Sequence, residues 1–202
     1  MLTLYHAPAS RSTRIIQLLE ALDARDAVEV RAVDVKRADG SGRIDPENPH
    51  PEGKVPLLVH DGVPIRESNA IMIHLCMLFP EAGMAPVQGT PDYGRFLSWM
   101  AYYGNVMEPV IVAAVSGDPG PMHQVSFRGP TEMAAVLITA LEDQPYLMGE
   151  RFSAADLLLA SPFVWMRHFA PKQACVQAWI DRCMAHPSWQ AAAAYDEGLV
   201  AA

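Results

Sequence analysis

Apolar residues recur with two different periods along the first 80 residues, and each period predicts a different element. Residues 2–5 place Leu2 and Leu4 on one face of a short strand, and residues 28–32 alternate apolar with charged positions as a second strand does. A strand, helix and strand in this order predict a right-handed parallel crossover. The helix between the strands is marked by four apolar residues at the spacing i, i+3, i+4, i+7: Ile15, Leu18, Leu19 and Leu22.

A hairpin and a second helix follow in the same part of the chain. The apolar run before Asp61-Gly62 predicts a third strand, and this Asp-Gly pair predicts a tight turn into a fourth. A helix then begins at about Ser68 and ends near Phe79, because a proline follows. The predicted order of elements is therefore β-α-β-β-β-α, with the hairpin adding antiparallel strands to the sheet.

Two stretches rich in glycine and proline interrupt these patterns. Residues 37–53 combine them with charged residues and predict an irregular loop, although a short helix between residues 35 and 55 is an alternative. A linker is predicted at residues 81–90. We therefore expect one domain at residues 1–80 and a second at residues 91–202.

Helical patterns dominate the second domain. A long helix is expected from Tyr93 to about Val115, with bends at Gly104 and Pro109. The glycines and prolines of residues 117–121 end it. A further helix is predicted to start at the Ser153–Asp156 capping box and to carry Leu157 to Met166, and a short last one to start at Pro187. Two others are marked by apolar residues at helical spacing: Met133, Val136, Leu137, Ala140 and Leu141, then Val176, Trp179, Ile180 and Cys183.

Composition excludes several classes of function. The 202 residues carry a net charge of −8 without any run of lysine or arginine, which argues against nucleic-acid binding. The longest apolar runs are far shorter than a membrane span, and we expect no signal peptide because no basic segment opens the chain. The three cysteines form no CxxC pair and the seven histidines do not cluster, so we expect reduced thiols, no metal site and a cytoplasmic location.

Two segments of the first domain are suited to binding a small anionic peptide. The proline of Val55-Pro56 stands at the mouth of the third strand, where backbone N–H and C=O groups are available to an extended ligand. The helix that starts at Glu67-Ser68 presents unpaired N–H groups and the positive end of its dipole to a carboxylate. Plain capping of this helix is the alternative explanation of the second segment.

Four segments, in this order and at these separations, resemble those of the cytosolic glutathione transferases of the bacterial type with a serine-type active site. The resemblance covers nearly the whole chain and implies an α/β plus all-α fold, with an N-terminal thioredoxin-like βαβ-ββα domain and an all-helical C-terminal domain. His50 stands where the family usually has asparagine, and Asn48 lies two residues earlier. The four segments are residues 10–14 (Ser-Arg-Ser-Thr-Arg), residues 50–56 (His-Pro-Glu-Gly-Lys-Val-Pro), residues 67–71 (Glu-Ser-Asn-Ala-Ile) and the capping box at residues 153–156 (Ser-Ala-Ala-Asp).

The resemblance implies a contact for each part of glutathione. Lys54 would pair with the glycine carboxylate. The backbone of Val55, before a cis bond to Pro56, would pair with the cysteinyl residue like an added strand. Ser68 would receive the γ-glutamyl carboxylate, while Glu67 would bind the ammonium group. Glutathione is then a co-substrate, and no tightly bound cofactor is expected.

The sulfur of glutathione would lie at the start of the first helix. Ser10 is our choice for the hydroxyl that donates to this sulfur, with Ser12 as the runner-up and Thr13 less favoured. Helix capping without a catalytic role is the alternative. Arg11 would add positive potential. The absence of cysteine from residues 1–75 argues against the cysteine-type classes of the family.

Two residues with rings near the first strand, Tyr5 and His6, are rival candidates for the catalytic group. Some classes of the family use a tyrosine there, but Tyr5 lies inside the predicted strand, where a core or domain-interface role is expected. His6 is expected to be a structural neighbour of the site rather than a base.

A small apolar electrophile is the expected second substrate. Tyr102, Tyr103 and Met107 of the long helix are candidates for the wall of its pocket, although such a stripe also suits a plain core. Glutathione conjugation is the implied activity, while glutathione-dependent reduction of peroxides or disulfides and isomerisation stay open. A non-catalytic glutathione-binding or regulatory module is the alternative of another class. The resemblance also implies a homodimer, formed through the helix that begins near Ser68 and the next one.

Overall fold

In the computed structural model, residues 1–117 and 120–201 are described, and the chain divides into two compact units. Met1–Met84 and the C-terminal segment from His186 form the first unit, and Ala85–Ala185 forms the second. The last helix therefore packs with the N-terminal part of the chain, whereas the sequence pattern grouped residues 91–202 together. The domain boundaries taken from the sequence stay a prediction.

A four-stranded mixed sheet lies at the centre of the first unit. Strand β1 (Leu2–His6) runs parallel to β2 (Val28–Ala32) and antiparallel to β3 (Leu57–His60), which is antiparallel to β4 (Val63–Ile65). The strand order is β2-β1-β3-β4. With α1 (Thr13–Ala21) and α2 (Ser68–Leu78), this sheet confirms the predicted thioredoxin-like fold class.

The hydrophobic pattern of β1 and α1 accounts for the core of this unit. Every residue of β1 is buried, because the strand has hydrogen-bonded neighbours on both sides. The apolar face predicted for α1 is buried as well, with Ile15, Leu18 and Leu19 fully inaccessible to solvent. Burial of each such side chain stabilises the fold by about 1.5–3 kcal/mol.

The turn between β3 and β4 confirms the tight hairpin turn predicted from the Asp61-Gly62 pair. Asp61 and Gly62 have φ angles of 49° and 83°, the positive values that a tight hairpin turn needs at both central residues. The described structure has no helix between β2 and β3, so the irregular loop predicted at residues 37–53 is confirmed and the alternative of a short helix is wrong.

The long helix predicted for the second unit is present as three consecutive segments. Helix α3 (Pro91–Tyr102) continues into a π-helical turn (Tyr103–Met107) and then into α4 (Glu108–Ser116). Gly104 lies inside the π-helical turn and Pro109 in the first turn of α4. The two residues expected to bend the helix thus mark the place where its hydrogen-bond period changes.

Helix α4 ends at Ser116 and is capped by Gly117, whose φ of 84° is a left-handed conformation that glycine adopts without strain. Residues 118 and 119 of the predicted break lie outside the described residues. No helix in the described part of the chain is long and apolar enough to cross a membrane. The remaining helices are α5 (Gly120–Phe127), α6 (Pro130–Leu141), α7 (Ala154–Trp165), α8 (Ala174–Met184) and α9 (Pro187–Ala201), with short 3₁₀ turns at Arg25–Ala27, Pro80–Ala82 and Arg167–Phe169.

The final helix is longer than predicted. A short helix was expected from Pro187, whereas α9 extends over 15 residues. Its run of alanines is helix-favouring but has little apolar periodicity, which is why the pattern understated its length.

Asp156 in the first turn of α7 organises the hydrogen bonds of the second unit. One carboxylate oxygen accepts the Leu147 N–H at 2.8 Å and the Trp179 indole N–H at 2.9 Å, and the other accepts the Ser153 N–H at 3.0 Å. Burial raises the pKa of this carboxyl, although the hydrogen bonds oppose that effect. The predicted capping-box residues therefore serve three segments of this unit, not only the start of α7.

Two histidines of the first unit face each other between the sheet and α2. The Nδ1 atom of His60 lies 3.0 Å from Nε2 of His74. Burial, with a smaller repulsion from His60, lowers the pKa of His74 below its ordinary value of 6.5. In the unfolded chain His74 therefore binds a proton more readily than in the folded chain. The stability associated with neutral His74 is present above that ordinary pKa and is lost as pH falls toward the folded-state value.

We therefore expect the free energy of unfolding to decrease between about pH 7.5 and about pH 5.5, and His74→Gln to reduce this decrease. Urea denaturation at both pH values measures this decrease in the free energy of unfolding. The matched control is His168→Gln, which alters an exposed ring and should keep the wild-type dependence. Equal pH dependence in wild type and His74→Gln would contradict the prediction.

Candidate functional site

The topology of the sheet brings the predicted ligand-binding segments of the first unit to one edge. The carboxyl ends of the parallel strands β1 and β2 lie together, and the antiparallel pairing places the start of β3 and the end of β4 beside them. This edge carries the loop before α1, the Val55-Pro56 bond before β3 and the turn before α2. Segments that are distant in sequence are therefore neighbours in the fold.

Ser10 and Ser12 lie within hydrogen-bond distance of each other at the start of α1. Their Oγ atoms are 2.8 Å apart, and the Ser10 hydroxyl also donates to the Ala7 carbonyl at 2.7 Å. The Ser12 N–H donates to Ser10 Oγ at 3.1 Å. Ser10 is half-buried and Arg11 is exposed, whereas Ser12 is inaccessible to solvent.

Ser12 is the N-cap residue of α1, but its side chain makes no capping hydrogen bond. Its Oγ instead lies 2.8 Å from Nδ1 of His6 and accepts the Ala7 N–H at 3.1 Å. The Thr13 hydroxyl is also engaged, because it donates to Asp196 at 2.6 Å. Ser10 is favoured over Ser12 as a donor to a bound ligand because it is only half-buried, and its hydroxyl must leave the Ala7 carbonyl to donate.

A carboxylate from α9 anchors the loop that carries Ser10. Oδ2 of Asp196 accepts the Ala9 N–H at 2.8 Å and the Thr13 hydroxyl, while Oδ1 lies 3.0 Å from Nε2 of His6. Ala9 has a φ of 53°, a left-handed conformation that is uncommon for a residue with a side chain. Burial would raise the pKa of Asp196, but these three contacts outweigh it and lower that pKa.

Asn48 braces the loop before β3. Its side-chain amide donates to the Lys54 carbonyl at 3.1 Å, and its Oδ1 accepts the His50 N–H at 3.1 Å. Nδ1 of His50 accepts the Glu52 N–H at 3.0 Å. Burial is the main cause that lowers the pKa of His50, which favours the neutral ring that this acceptor role requires. Asn48 thus shapes this loop, although His50 stands at the position where the family pattern usually has asparagine.

The two residues that follow this loop differ in their availability to a ligand. The Lys54 ammonium is exposed and forms an ion pair with Glu52, so it must leave that partner to bind a carboxylate. The Val55-Pro56 peptide is cis, as the resemblance implied. Among the described residues, no hydrogen bond engages the backbone N–H or C=O of Val55.

Glu67 precedes α2 with a φ of 69°, a value that non-glycine residues rarely adopt. Glu67 is the N-cap residue and its side chain makes no capping hydrogen bond, while Ser68 is the first residue of the helix. Plain capping by these side chains, the alternative left by the sequence, therefore does not fit. Glu67 is exposed and Ser68 half-buried at the same edge of the sheet as Ser10.

The three residues predicted to line a second-substrate pocket differ in exposure. Met107 is fully buried and Tyr103 nearly so, both in the π-helical turn. Tyr102 is half-buried, with its ring in edge contact with Trp99 at a centroid distance of 5.8 Å. Tyr102 is therefore the member of this set that reaches the surface.

Sequence reasoning missed the roles of three residues that shape the site. Asp196 lies 187 residues from its partner Ala9, so no local pattern could connect them. Arg37, which follows β2 in the sequence, donates to the Pro8 carbonyl at 3.0 Å and so also fixes this loop. Asn48 was noted in the sequence, but only as a shifted family residue. An acid within the alanine-rich final helix was the one available sequence signal for Asp196.

Comparison with known proteins places this fold in a family. The sequence profile of the glutathione S-transferase N-terminal domain matches residues 1–76, and that of the C-terminal domain matches residues 105–187. A solved glutathione transferase from Methylococcus capsulatus is 25% identical, with a TM-score of 0.78 and coverage of 98% of this chain and 99% of that one.

Two curated relatives illustrate the range of names that this similarity includes. Glutathione S-transferase 3 of Schizosaccharomyces pombe is 32% identical over 114 residues, which are 56% of this chain and 46% of that protein. Elongation factor 1-gamma of Trypanosoma cruzi is 27% identical over 169 residues, which are 81% of this chain and 40% of that protein. The matched region spans less than half the length of both relatives.

Proposed function

This chain belongs to the glutathione S-transferase family, and we propose that it binds glutathione at the sheet edge that carries Ser10, Val55 and Ser68. It would stabilise the thiolate and transfer it to a small apolar electrophile. Val55 would pair with the cysteinyl backbone, Ser68 with the γ-glutamyl carboxylate and Glu67 with the ammonium group. Lys54, released from its exposed ion pair, would take the glycine carboxylate.

The position of Ser10 is the observation that carries this proposal. A free thiol has a pKa of about 8.5, and lowering it by two units requires roughly 2.7 kcal/mol of preference for the thiolate. A hydroxyl donor and the start of a helix can supply much of this preference. Ser10 combines partial exposure with a place in the loop that leads into α1, whereas Ser12 is buried. Arg11, exposed beside it, would add positive potential.

The cysteines support a serine-type site. Burial raises the pKa of the Cys76 thiol to about 12 and also raises that of Cys183. A thiol that ionises so reluctantly is a poor nucleophile and a poor partner for mixed disulfides. The half-buried Cys175 lies on α8 of the second unit.

Ser10→Ala is expected to raise the pKa of glutathione's thiol in the complex by about one unit and to lower kcat/KM roughly tenfold, because one donor to the thiolate is lost. The ultraviolet absorbance of the bound thiolate, recorded across pH, measures this. Ser98→Ala provides the matched control, since Ser98 is an exposed serine of α3 whose hydroxyl donates within its own helix. An unchanged titration in Ser10→Ala would refute the serine assignment.

The chemistry of the second substrate belongs to this proposal too. An aryl halide or an activated alkene would report conjugation, and an organic hydroperoxide would report glutathione-dependent reduction, which needs no cysteine of the protein. We favour conjugation, with Tyr102 in contact with the apolar electrophile and Tyr103 and Met107 supporting it from the core. A homodimer in the cytoplasm, acting in detoxification, completes the proposal, and light scattering on the purified protein tests the dimer.

A non-catalytic binding module is the second candidate. The similarity to an elongation factor over 81% of this chain is the observation in its favour. The two candidates differ in one measurement, because a module would bind glutathione without shifting the ionisation of its thiol. Calorimetry combined with the thiolate absorbance separates them, and a depressed thiol pKa excludes the module.

A further inference from the structure

A continuous line of polar atoms connects Ser10 to a buried acid in the last helix. Oγ of Ser10 lies 2.8 Å from Oγ of Ser12, which lies 2.8 Å from Nδ1 of His6. On the other side of the ring, Nε2 of His6 is 3.0 Å from Oδ1 of Asp196. All four residues belong to the first unit.

The position of the carboxylate decides which ring nitrogen of His6 carries the proton. His6 Nε2 and Asp196 Oδ1 are both buried, and neither has a well-aligned hydrogen bond within the described residues, so their 3.0 Å contact is electrostatic. A carboxylate so close to Nε2 favours the tautomer with its proton there. Nδ1 is then an acceptor, and the Ser12 hydroxyl donates to it.

The burial of Ser12 excludes a catalytic triad in which Asp196 and His6 would activate Ser12 as a nucleophile. The side chain of Ser12 is 0% exposed, so its oxygen cannot attack a substrate. The serine that reaches the surface is Ser10, one hydrogen bond further along the line. This arrangement connects a surface group to a buried base through two hydroxyls and is suited to moving a proton inward.

We propose that His6 receives the proton of glutathione's thiol through Ser10 and Ser12, and that Asp196 holds the resulting imidazolium. This inference rests on the function proposed above, with the sulfur next to Ser10. His6 acts through the two serines and does not touch the sulfur, so it is a positioning residue that stores the proton inside the protein.

The transfer balances without an oxidant or any other reactant. The Ser10 hydroxyl first turns from the Ala7 carbonyl to Ser12 Oγ. The S–H bond then breaks as its proton passes to Ser10 Oγ, the Ser10 proton passes to Ser12 Oγ, and the Ser12 proton forms a new N–H bond at Nδ1 of His6. Both serines end as hydroxyls, the sulfur carries one negative charge and His6 one positive charge. The new Ser10 hydroxyl then donates to the thiolate, as the proposed catalytic role requires.

Burial gives this transfer its driving force. Before transfer, the ionised Asp196 is a buried negative charge that accepts hydrogen bonds from Ala9 and Thr13 but has no positive charge beside it in the part of the chain that the structure describes. After transfer, the pair is neutral overall and the negative charge lies on the sulfur at the surface end of the line, next to the start of α1. The other groups around the pair are the Thr13 hydroxyl, the Ala9 N–H and the Tyr195 ring. The Arg25 guanidinium lies over the Tyr195 ring.

The experiment counts protons and thiolates in the same complex. Glutathione binding is measured by calorimetry at about pH 7 in buffers of different ionisation enthalpy, which gives the protons released, while ultraviolet absorbance gives the thiolate formed. For the wild type we expect fewer than about half a proton released per thiolate, because His6 retains the rest. Release of one proton per thiolate would overturn the inference.

Variants at both ends of the pair test the same point. His6→Gln keeps an amide beside Ser12 but cannot take up a proton, and Asp196→Asn removes the compensating charge. Each is expected to release about one proton for every thiolate that still forms. His168→Gln is the control and should retain the proton as the wild type does. Retention of the proton in His6→Gln would contradict the inference.

A spectroscopic readout keeps the test valid if these variants fold poorly. In wild-type protein carrying isotope-labelled histidine, addition of glutathione should move the His6 ring nitrogens to the shifts of an imidazolium. A ring that stays neutral while the thiolate forms would refute the inference alone. Failure to bind glutathione would instead refute the proposed function, and the inference with it.

Discussion

Asp156→Ala is expected to lower the free energy of unfolding of the second unit by about 3–5 kcal/mol. The substitution leaves four buried donors without an acceptor: the Leu147 N–H, the Ser153 N–H, the Ser153 hydroxyl and the Trp179 indole N–H. Each unsatisfied donor costs about 1–3 kcal/mol, and Trp179 is itself fully buried.

Denaturant unfolding followed by tryptophan fluorescence measures this effect. Asp143→Ala is the matched control, because it removes the same side chain from an exposed position of the same unit and should change stability by less than about 0.5 kcal/mol. Asp156→Asn is expected to fall in between, since its amide group can accept at one oxygen only. Equal stabilities of Asp156→Ala and Asp143→Ala would show that the observed hydrogen bonds contribute nothing net.

Asp196→Ala is expected to reduce kcat/KM for glutathione conjugation about 100-fold, the loss that a small misplacement of a reacting group can produce. The variant releases Ala9 from its left-handed conformation and frees the Thr13 hydroxyl, so the loop no longer fixes Ser10. Stability should also fall by about 1–3 kcal/mol, because the part-buried Ala9 N–H and Thr13 hydroxyl lose their shared acceptor.

Steady-state kinetics and denaturation measure the two effects, and Glu197→Ala, which removes the adjacent exposed acid, is the control. The lowered pKa of Asp196 sets the pH dependence. Its stabilisation is complete above the ordinary value of 3.8 and is lost as pH falls through the lower folded-state pKa. The difference in stability between wild type and Asp196→Ala should therefore shrink in strong acid, and a constant difference down to about pH 2 would contradict the assignment.

Local signals were sufficient for most of the fold. The period of apolar residues located β1 and α1, and the Asp61-Gly62 pair located the hairpin, because each of these depends on interactions within a few residues. Gly104 and Pro109 even marked the change of helical period in the second unit. Where the signal was not periodic, as in the alanine-rich α9, the length of the helix was underestimated.

The arrangement of the candidate site depended on contacts that no local pattern encodes. The sequence ranked Ser10 ahead of Ser12 only through the family resemblance of its spacing to Arg14, since both serines lie before α1. Their difference arises from His6, which engages Ser12 in the interior and leaves Ser10 at the surface. Likewise, Lys54 was expected to be available to a carboxylate, but the neighbouring Glu52 engages it.

The return of α9 to the first unit has a consequence for synthesis of the protein on the ribosome. The loop at Ala9 emerges early, but its anchor at Asp196 is translated 187 residues later. At about 5–20 residues per second, this interval lasts roughly 10 to 40 s. During that time a nascent chain can complete its sheet while the loop stays unanchored. Competence to ionise a thiol would then arise late in translation, after the whole second unit has been made.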